Sequence, residues 1–435
     1  MPPRSDPSCC KRPGLKIMKP LSVNSTRLLA RLQELGSIGR DADGRLTRLA
    51  LSDADRQARD HLVAWIRAAG LEVAIDRIGN IFGIWGGNKY GSQQPVLLGS
   101  HIDTVMNAGI YDGCYGVLAG LEVIQTLREA GFVPERPIAV AAFTNEEGVR
   151  FAPDMMGSLV YAGGLELETA LATRSTDGAV LGQELARIGY AGDHAVGFMR
   201  PHAYVELHIE QGPVLEHSGI PIGAVEDLQG ISWQRITIEG QANHAGTTPM
   251  ALRRDAGYAA ARIMTFVHDR AMALKPSGVA TVGSVAFEPN AINVIPARAT
   301  LTVDLRNPDE TGLQEEENAL AAFLSDLETS GNVKIHVEIL ARSRPVTFDA
   351  RIIDLIEKAT LKRGLTARRM TSGAGHDAQM IASMAPTAMI FVPSHKGISH
   401  NPAEFTSNEG LISGANVLLD VTQHLADASS YRKSE

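Results

Sequence analysis

Apolar residues recur at helical spacing over 26–35 and again over 53–69, with Ser52 placed to cap the second stretch and Gly70 just past its end. Two helices are therefore predicted to open the chain. Short apolar runs then alternate with helical patterns: PVLLGS, the helix VLAGLEVIQTLREAG, PIAVAAFTN, and later AYVELHI and TAMIFVPS. Strands alternating with helices predict a mainly parallel α/β sheet.

Between about 230 and 340 the pattern changes. Strand SWQRITIEG leads to a helix near 252–270, followed by strands VATVGSVAF and RATLTVDLR, a helix over roughly 311–329 and a closing strand VKIHVEIL. That β-α-β-β-α-β order is the split ferredoxin-like plan, which can bury its own core. The predicted organisation is a disordered tail over 1–20, a first domain made of 21–229 and 341–435, and an inserted α+β domain over 230–340. A chain of 435 residues fits two domains.

Composition narrows the partners. Hydrophobic residues at 44% and charged residues at 21% describe an ordinary globular chain. A formal charge of −8 gives no general attraction for nucleic acid or anionic lipid, which leaves small molecules as the expected partners. Cys9, Cys10 and Cys114 allow no disulfide framework, so a reducing, cytoplasmic setting is expected. The first twenty residues lack the apolar run of a secretory signal, and Met18 is an alternative start. No stretch reaches the roughly 20 apolar residues of a membrane helix, and a soluble protein is expected.

Acidic and histidine residues fall just after the apolar runs. PVLLGS leads into His101, Asp103 and then Asp112; PIAVAAFTN leads into Glu146 and Glu147; AYVEL leads into His208, and AMIFVPSHKGIS into His400. In an open parallel sheet the loops beyond the strand carboxyl ends share one rim, so residues distant in sequence converge there. Imidazole with carboxylate is the ligand set of zinc or a similar divalent ion, and no cysteine competes for the role. Three histidines and several carboxylates exceed what one four-coordinate ion requires. A pair of ions sharing one carboxylate is the economical reading; such a pair acidifies a water and polarises a carbonyl, so hydrolysis is expected. Glu146 and Glu147, being consecutive, point in different directions and offer one base and one ligand.

Each of these residues also has a bland reading. A Glu-Glu pair is ordinarily a solvated turn, and His101 with Asp103 could be a buried hydrogen-bonded pair. His208 or His400 alone could be a satisfied core histidine, and Asp112 could cap the helix that follows it. Their joint placement after strands favours the metal site.

The motifs GSHIDTV, YDGCYGVLAGLE, TNEEGVRF, HIEQGPVLE, NHAGTTPM, DLRNPD, GAGHDA and SHNPAE resemble the M20-type metallohydrolases, in the hydantoinase/carbamoylase branch. That branch holds N-carbamoyl-L-amino acid hydrolases, β-ureidopropionases and allantoate amidohydrolases, and the resemblance runs from about 24 to 425. It implies a di-metal catalytic domain and an inserted lid domain through which the chain forms a homodimer. It further implies that His101, Asp112 and His208 bind one ion, that Asp112, Glu147 and His400 bind the other, that Glu146 is the catalytic base, and that the Asp103 carboxylate orients His101. Zinc is the first choice of metal, with manganese, cobalt and nickel also accepting these ligands.

The substrate residues follow from the same resemblance. Where peptidase and aminoacylase relatives carry a carboxylate, this chain has His208, followed by Glu210, Gln211 and Gly212, which favours a ureido (N-carbamoyl) substrate with Gln211 placed to touch it. His244, Asn293 and Arg306 match residues that hold the reacting carbonyl and the substrate carboxylate, Arg306 through its planar fork. Their competing readings are a buried cap for His244, a turn before Pro296 for Asn293 and an edge-strand charge for Arg306. Gly373 and Gly375 would let backbone approach the substrate, and His376 matches a substrate-site histidine, against a helix-start cap by Asp377. The implied reaction is hydrolysis of an N-carbamoyl-L-amino acid to the free amine, carbon dioxide and ammonia. Allantoate and N-carbamoyl-β-alanine are the alternatives, and an aminoacylase or dipeptidase is the further one. The 5% aromatic content slightly favours aliphatic substrates.

Overall fold

In the computed structural model, residues 20–86, 93–273 and 278–427 are described. Apart from Pro20, the tail expected over 1–20, with Cys9, Cys10 and Met18, lies outside them. The chain opens with α1 (Ser25–Leu35) and α2 (Asp53–Ala68), capped by the side chains of Asn24 and Ser52, which accept from the N–H groups of Arg27 and Asp55. Then follow β1 (Glu72–Ile75), β2 (Ile81–Trp85), β3 (Val96–His101), α3 (Cys114–Glu129), β4 (Ile138–Phe143), α4 (Met156–Tyr161), α5 (Leu167–Leu171) and α6 (Leu181–Ile188). Next come β5 (Ala203–Ile209), α7 (Val214–Ser218), β6 (Ile222–Leu228), β7 (Gly230–Glu239), α8 (Ala256–Ala273), β8 (Val279–Glu288), β9 (Arg298–Asn307), α9 (Glu310–Gly331) and β10 (Lys334–Ser343). The chain closes with β11 (Val346–Thr347), α10 (Ala350–Lys362), β12 (Ala367–Ser372), α11 (Asp377–Ile381), β13 (Thr387–Val392) and α12 (Asn408–Ala426).

Nine strands form one large sheet in the order β1-β2-β4-β3-β5-β13-β6-β11, with β12 beside β6. The central run β4-β3-β5-β13 is parallel, and both flanks turn antiparallel. All four central strands are buried at every position, because helices cover both faces. This is a mixed α/β fold with a large, mainly parallel sheet. Since β3, β4, β5 and β13 run the same way, their carboxyl ends meet at one rim, where His101, Glu146, His208 and the loop to His400 emerge.

A second sheet, β10-β7-β9-β8, is antiparallel throughout. Helices α8 and α9 cover one face and enclose a separate core with Ile236, Ile263, Leu301, Val303 and Leu320. Along β9 every second residue from Ala299 to Asn307 is buried, so Asp304 and Arg306 share the opposite, open face. Arg306 is thus on an interior strand rather than an edge. Strand β10 ends at Ser343, a little beyond the boundary read from the pattern. The strand β12 escaped the pattern because ARRMTS has no apolar run and is only partly buried. No helix among the described residues is long and apolar enough to cross a membrane.

Candidate metal centre

At the rim, one carboxylate lies among three imidazoles. Asp112 Oδ1 is 3.1 Å from His208 Nε2 and 3.6 Å from His101 Nε2, while its Oδ2 is 3.3 Å from His400 Nε2. Asp112 does not cap α3: the capping position is Gly113, and no side chain caps that end. Gly113, at φ 61°, is required as glycine, because a Cβ there would lie 2.4 Å from the His101 ring.

The ring nitrogens that face Asp112 are the Nε2 atoms, and that of His208 also accepts from the N–H of Gly113 at 3.1 Å. His208 Nδ1 donates to the main-chain oxygen of Ile209 at 2.8 Å, and His101 Nδ1 donates to that of Asp103 at 3.0 Å. A carbonyl only accepts, so a hydrogen sits on Nδ1 in both rings, which leaves Nε2, once deprotonated, as the nitrogen that can bind a cation. The Asp103 carboxylate is not hydrogen-bonded to the His101 ring. Its Oδ1 stands 3.9 Å from His101 Nδ1, and its oxygens accept instead from the N–H groups of Glu146 and Glu147, each at 3.3 Å. Sequence spacing placed an acid near His101 but could not tell its side chain from its backbone as the partner.

Glu146 Oε2 is 3.4 Å from His101 Nε2, and Glu147 Oε2 is 3.4 Å from His400 Nε2. Ligand atoms of His101, Asp112 and His208 lie within 4.8 Å of one another, as do those of Asp112, Glu147 and His400. His101 with Glu146 and Glu147, and Glu206 with His208 and His376, meet the same test. Four carboxylates, Asp103, Asp112, Glu146 and Glu147, thus share a buried or half-buried space with no lysine or arginine among the described residues bonded to them. Burial, opposed by His101 and reinforced by Glu147, holds Glu146 well above the usual carboxylate range. Burial and the Asp112 charge push Glu147 up to about 8. On His101 burial works against charge, but Glu146, Asp112 and Asp103 outweigh it and hold the ring well above its usual value. Such a density of negative charge is costly to bury without cations. Glu147 Oε1 and Gln211 Oε1, both buried, have no hydrogen-bond partner among the described residues. The donor set and these orphaned oxygens fit divalent ions.

Three residues given no role in the sequence reading, Ser394, Ser399 and Glu404, hold the centre. Glu404 Oε1 accepts from the N–H groups of Tyr111 at 3.0 Å and Asp112 at 3.3 Å, and its Oε2 lies 2.8 Å from Ser399 Oγ, which is 3.0 Å from Asp112 Oδ2. Ser394 Oγ accepts from the N–H of Gln211, which sits at φ 56° and donates through Nε2 to Asp112 Oδ2 at 2.7 Å. Glu404 belongs to SHNPAE, so its presence in the motif was the only signal.

The substrate residues divide. Gln211, Gly375 and His376 line a pocket of about 150 Å³ together with Asp112, Glu146 and His400. His376 is buried, rests 4.6 Å ring to ring from His208, and occupies the N-terminal position of α11 without a side-chain cap from it or from Asp377. A Cβ on Gly375 would come within 2.9 Å of the flexible end of Met155, at Cε, and a Cβ on Gly373 would meet no protein atom. His244 is exposed rather than buried, and its Nδ1 accepts from the N–H groups of Gly246 and Thr247. Beside it, the Asn293 carbonyl accepts from Ala245, and neither His244 nor Asn293 is hydrogen-bonded to the rim among the described residues. Arg306 donates through Nη1 to the Gly373 carbonyl at 2.8 Å, and its Nε and Nη2 grip Asp304.

Three comparisons bear on this geometry. Residues 97–424 match the pattern of peptidase family M20/M25/M40. An N-carbamoyl-L-amino-acid amidohydrolase of Rhizobium meliloti is 40% identical, with 93% of this chain and 97% of that protein aligned, and an allantoate amidohydrolase of Bacillus subtilis is 34% identical over 91% and 96%. A solved structure of a hydantoinase/carbamoylase family amidase from Burkholderia multivorans superposes with a TM-score of 0.90 at 43% identity, covering 93% of this chain and 98% of that one. With the Asp112 centre at the carboxyl rim of its sheet, the chain belongs to peptidase family M20/M25/M40, in the hydantoinase/carbamoylase branch, and is an amidohydrolase-type enzyme.

Proposed function

We propose that the chain hydrolyses the ureido group of a small carboxylic acid, first of all an N-carbamoyl-L-amino acid, using two divalent cations held by His101, Asp112 and His208 and by Asp112, Glu147 and His400. The observation that carries this reading is the position of Asp112, whose two oxygens face different histidines. The names of the N-carbamoyl-L-amino-acid relatives support the ureido substrate. Zinc is the first choice of metal.

When bound, the two cations would acidify the attacking water and polarise the ureido carbonyl. Glu146 takes the proton as the water oxygen bonds to the ureido carbon, then delivers it to the nitrogen that leaves as the amino acid's amine. Asp103 fixes the backbone of Glu146, and so the direction of its carboxylate. Gln211 donates toward the ureido oxygen, Arg306 pairs with the substrate carboxylate, and His244 with Asn293 stabilise charge on the reacting carbonyl. The carbamate product breaks down to carbon dioxide and ammonia. The unit spanning 230–340 acts as a lid whose seating brings His244 and Asn293 to the rim.

The same unit is proposed as the homodimer surface. Tyr258, Met264 and Met272 on α8 and Val279 and Phe287 on the edge strand β8 are exposed apolar side chains, the kind of patch that marks an interface. Sedimentation of the full chain should give twice the monomer mass; a monomer at micromolar concentration would overturn this part.

Ammonia release from N-carbamoyl-L-amino acids, N-carbamoyl-β-alanine and allantoate tests the function, comparing chelated protein with protein reloaded with zinc or manganese. Metal-dependent release supports the reading, and the preferred compound names the substrate. Silence on the whole panel from protein holding both ions, with turnover of N-acetyl amino acids or dipeptides, would replace it with amide hydrolysis.

A further inference from the structure

Resting on the ureidohydrolase reading, we propose that Asp154 determines specificity by selecting substrates whose side chain ends in N–H donors: an ammonium, a guanidinium, an amide or a second ureido group. Asp154 lines the catalytic pocket beside Met155 and Gly375. The other pocket carboxylates face imidazoles: Asp112 faces His101, His208 and His400, Glu146 faces His101, and Glu147 faces His400. Asp154 faces none: it is solvent-exposed, its carboxylate accepts only from its own N–H, and among the described residues no other side chain is bonded to it.

Nor is Asp154 on a free loop. Asn145, the residue before Glu146, donates through Nδ2 to the carbonyls of Phe151 at 2.8 Å and Pro153 at 3.2 Å. The N–H groups of Met155 and Met156 donate back to the carbonyls of Glu146 and Asn145 at 2.6 and 3.2 Å. Met155 is held at φ 50°, a left-handed conformation that a long side chain adopts only when its surroundings impose it. Asp154 is therefore fastened to the backbone that carries the catalytic base, and its placement relative to the reacting carbon is set by the fold.

An ionised carboxylate only accepts hydrogen bonds, and covering it with substrate strips its water. An apolar side chain leaves that charge unpaired, which costs more than the lost bond alone, and an acidic side chain adds repulsion. A side chain ending in N–H groups satisfies it. Asp154 in the pocket and Arg306 outside it then distinguish the two ends of the substrate, with the α-carboxylate at Arg306 and the donor end at Asp154. This reverses the slight preference for aliphatic substrates drawn from composition.

The test compares kcat/KM of the metal-loaded full chain for N-carbamoyl-L-2,4-diaminobutyrate and its apolar isostere N-carbamoyl-L-norvaline, with N-carbamoyl-L-asparagine as a neutral donor and N-carbamoylglycine as a reference without a side chain. Wild type should favour the diaminobutyrate derivative over norvaline by about tenfold or more, the size of one hydrogen bond to a charged group. Asp154→Ala should lower that ratio by about tenfold, and Asp154→Asn should lower it while keeping the asparagine derivative ahead of norvaline. A wild-type ratio of one or below overturns the proposal without need of any variant, as does an unchanged ratio in an Asp154→Ala protein of normal metal content. Failure to turn over any of the four compounds by protein holding both ions overturns the ureidohydrolase reading and this proposal with it; turnover with a flat ratio overturns this proposal alone.

Discussion

At the rim of the large sheet, backbone groups fix nearly every candidate residue. Carbonyls of Asp103 and Ile209 set the two buried imidazoles, the N–H groups of Glu146 and Glu147 rest on Asp103, and Glu404 receives the N–H of Asp112. On the small sheet's side the candidates are loosely held: His244 and Asn293 are exposed, and the Arg306 side chain meets the large body at the Gly373 carbonyl. The first region is organised before substrate arrives, whereas the second depends on where the small unit sits. Changes at the rim should therefore act on metal binding and kcat, and changes on the small unit should act mainly on KM.

The largest effect is expected at the base. Glu146→Gln keeps the shape and leaves the proposed metal ligands in place, so kcat should fall by about 10²–10⁴-fold while the protein keeps two ions per chain by elemental analysis. Wild-type turnover in that variant at full metal content would remove Glu146 from the mechanism. Next comes Glu404→Ala, which releases the N–H groups of Tyr111 and Asp112. Metal affinity measured by chelator competition should weaken by about 10–100-fold, the usual cost of losing a group that orients a ligand, and saturating metal should restore much of kcat. Unchanged affinity would make Glu404 a structural acid only.

The contrast between the regions also explains what could be read from sequence. The strands β3, β4, β5 and β13 were legible because burial on both faces leaves an unbroken apolar run, and the acids and histidines that follow them stood out by position. Asp103 stood out by its spacing from His101, but the residue type does not say whether its carboxylate or its carbonyl meets the ring. Glu404 and Ser399 were invisible as parts of the centre because they act on backbone N–H groups and on one oxygen of Asp112, contacts with no sequence spacing. For His244, a position between strand and helix suggested burial, but the loop stands out from the small sheet. Asp154 gave no signal either: it follows no strand, and only the folding of 151–156 against Asn145 brings it to the pocket.

The smaller effects belong to Arg306 and the acid that holds it. Arg306→Ala should raise KM about 10–100-fold for a substrate with its carboxylate, and much less for the corresponding carboxamide, because the loss is one charge-assisted pairing. Asp304 grips the guanidinium at Nε and Nη2, with contacts of 2.9–3.1 Å, and the Gly373 carbonyl takes one hydrogen from Nη1. Five N–H groups minus three bonded directions leaves donors on the Nη1 and Nη2 end, the edge that an incoming carboxylate would meet. On this geometry Asp304 orients Arg306 and does not compete with substrate for it. Asp304→Asn keeps an acceptor but loses the charge, so KM should rise only about two- to fivefold with kcat nearly constant, and Asp304→Ala should approach the Arg306→Ala value. A lower KM in Asp304→Asn would mean that Asp304 holds the guanidinium back from substrate, and the small unit would then carry a brake where a positioning contact is expected.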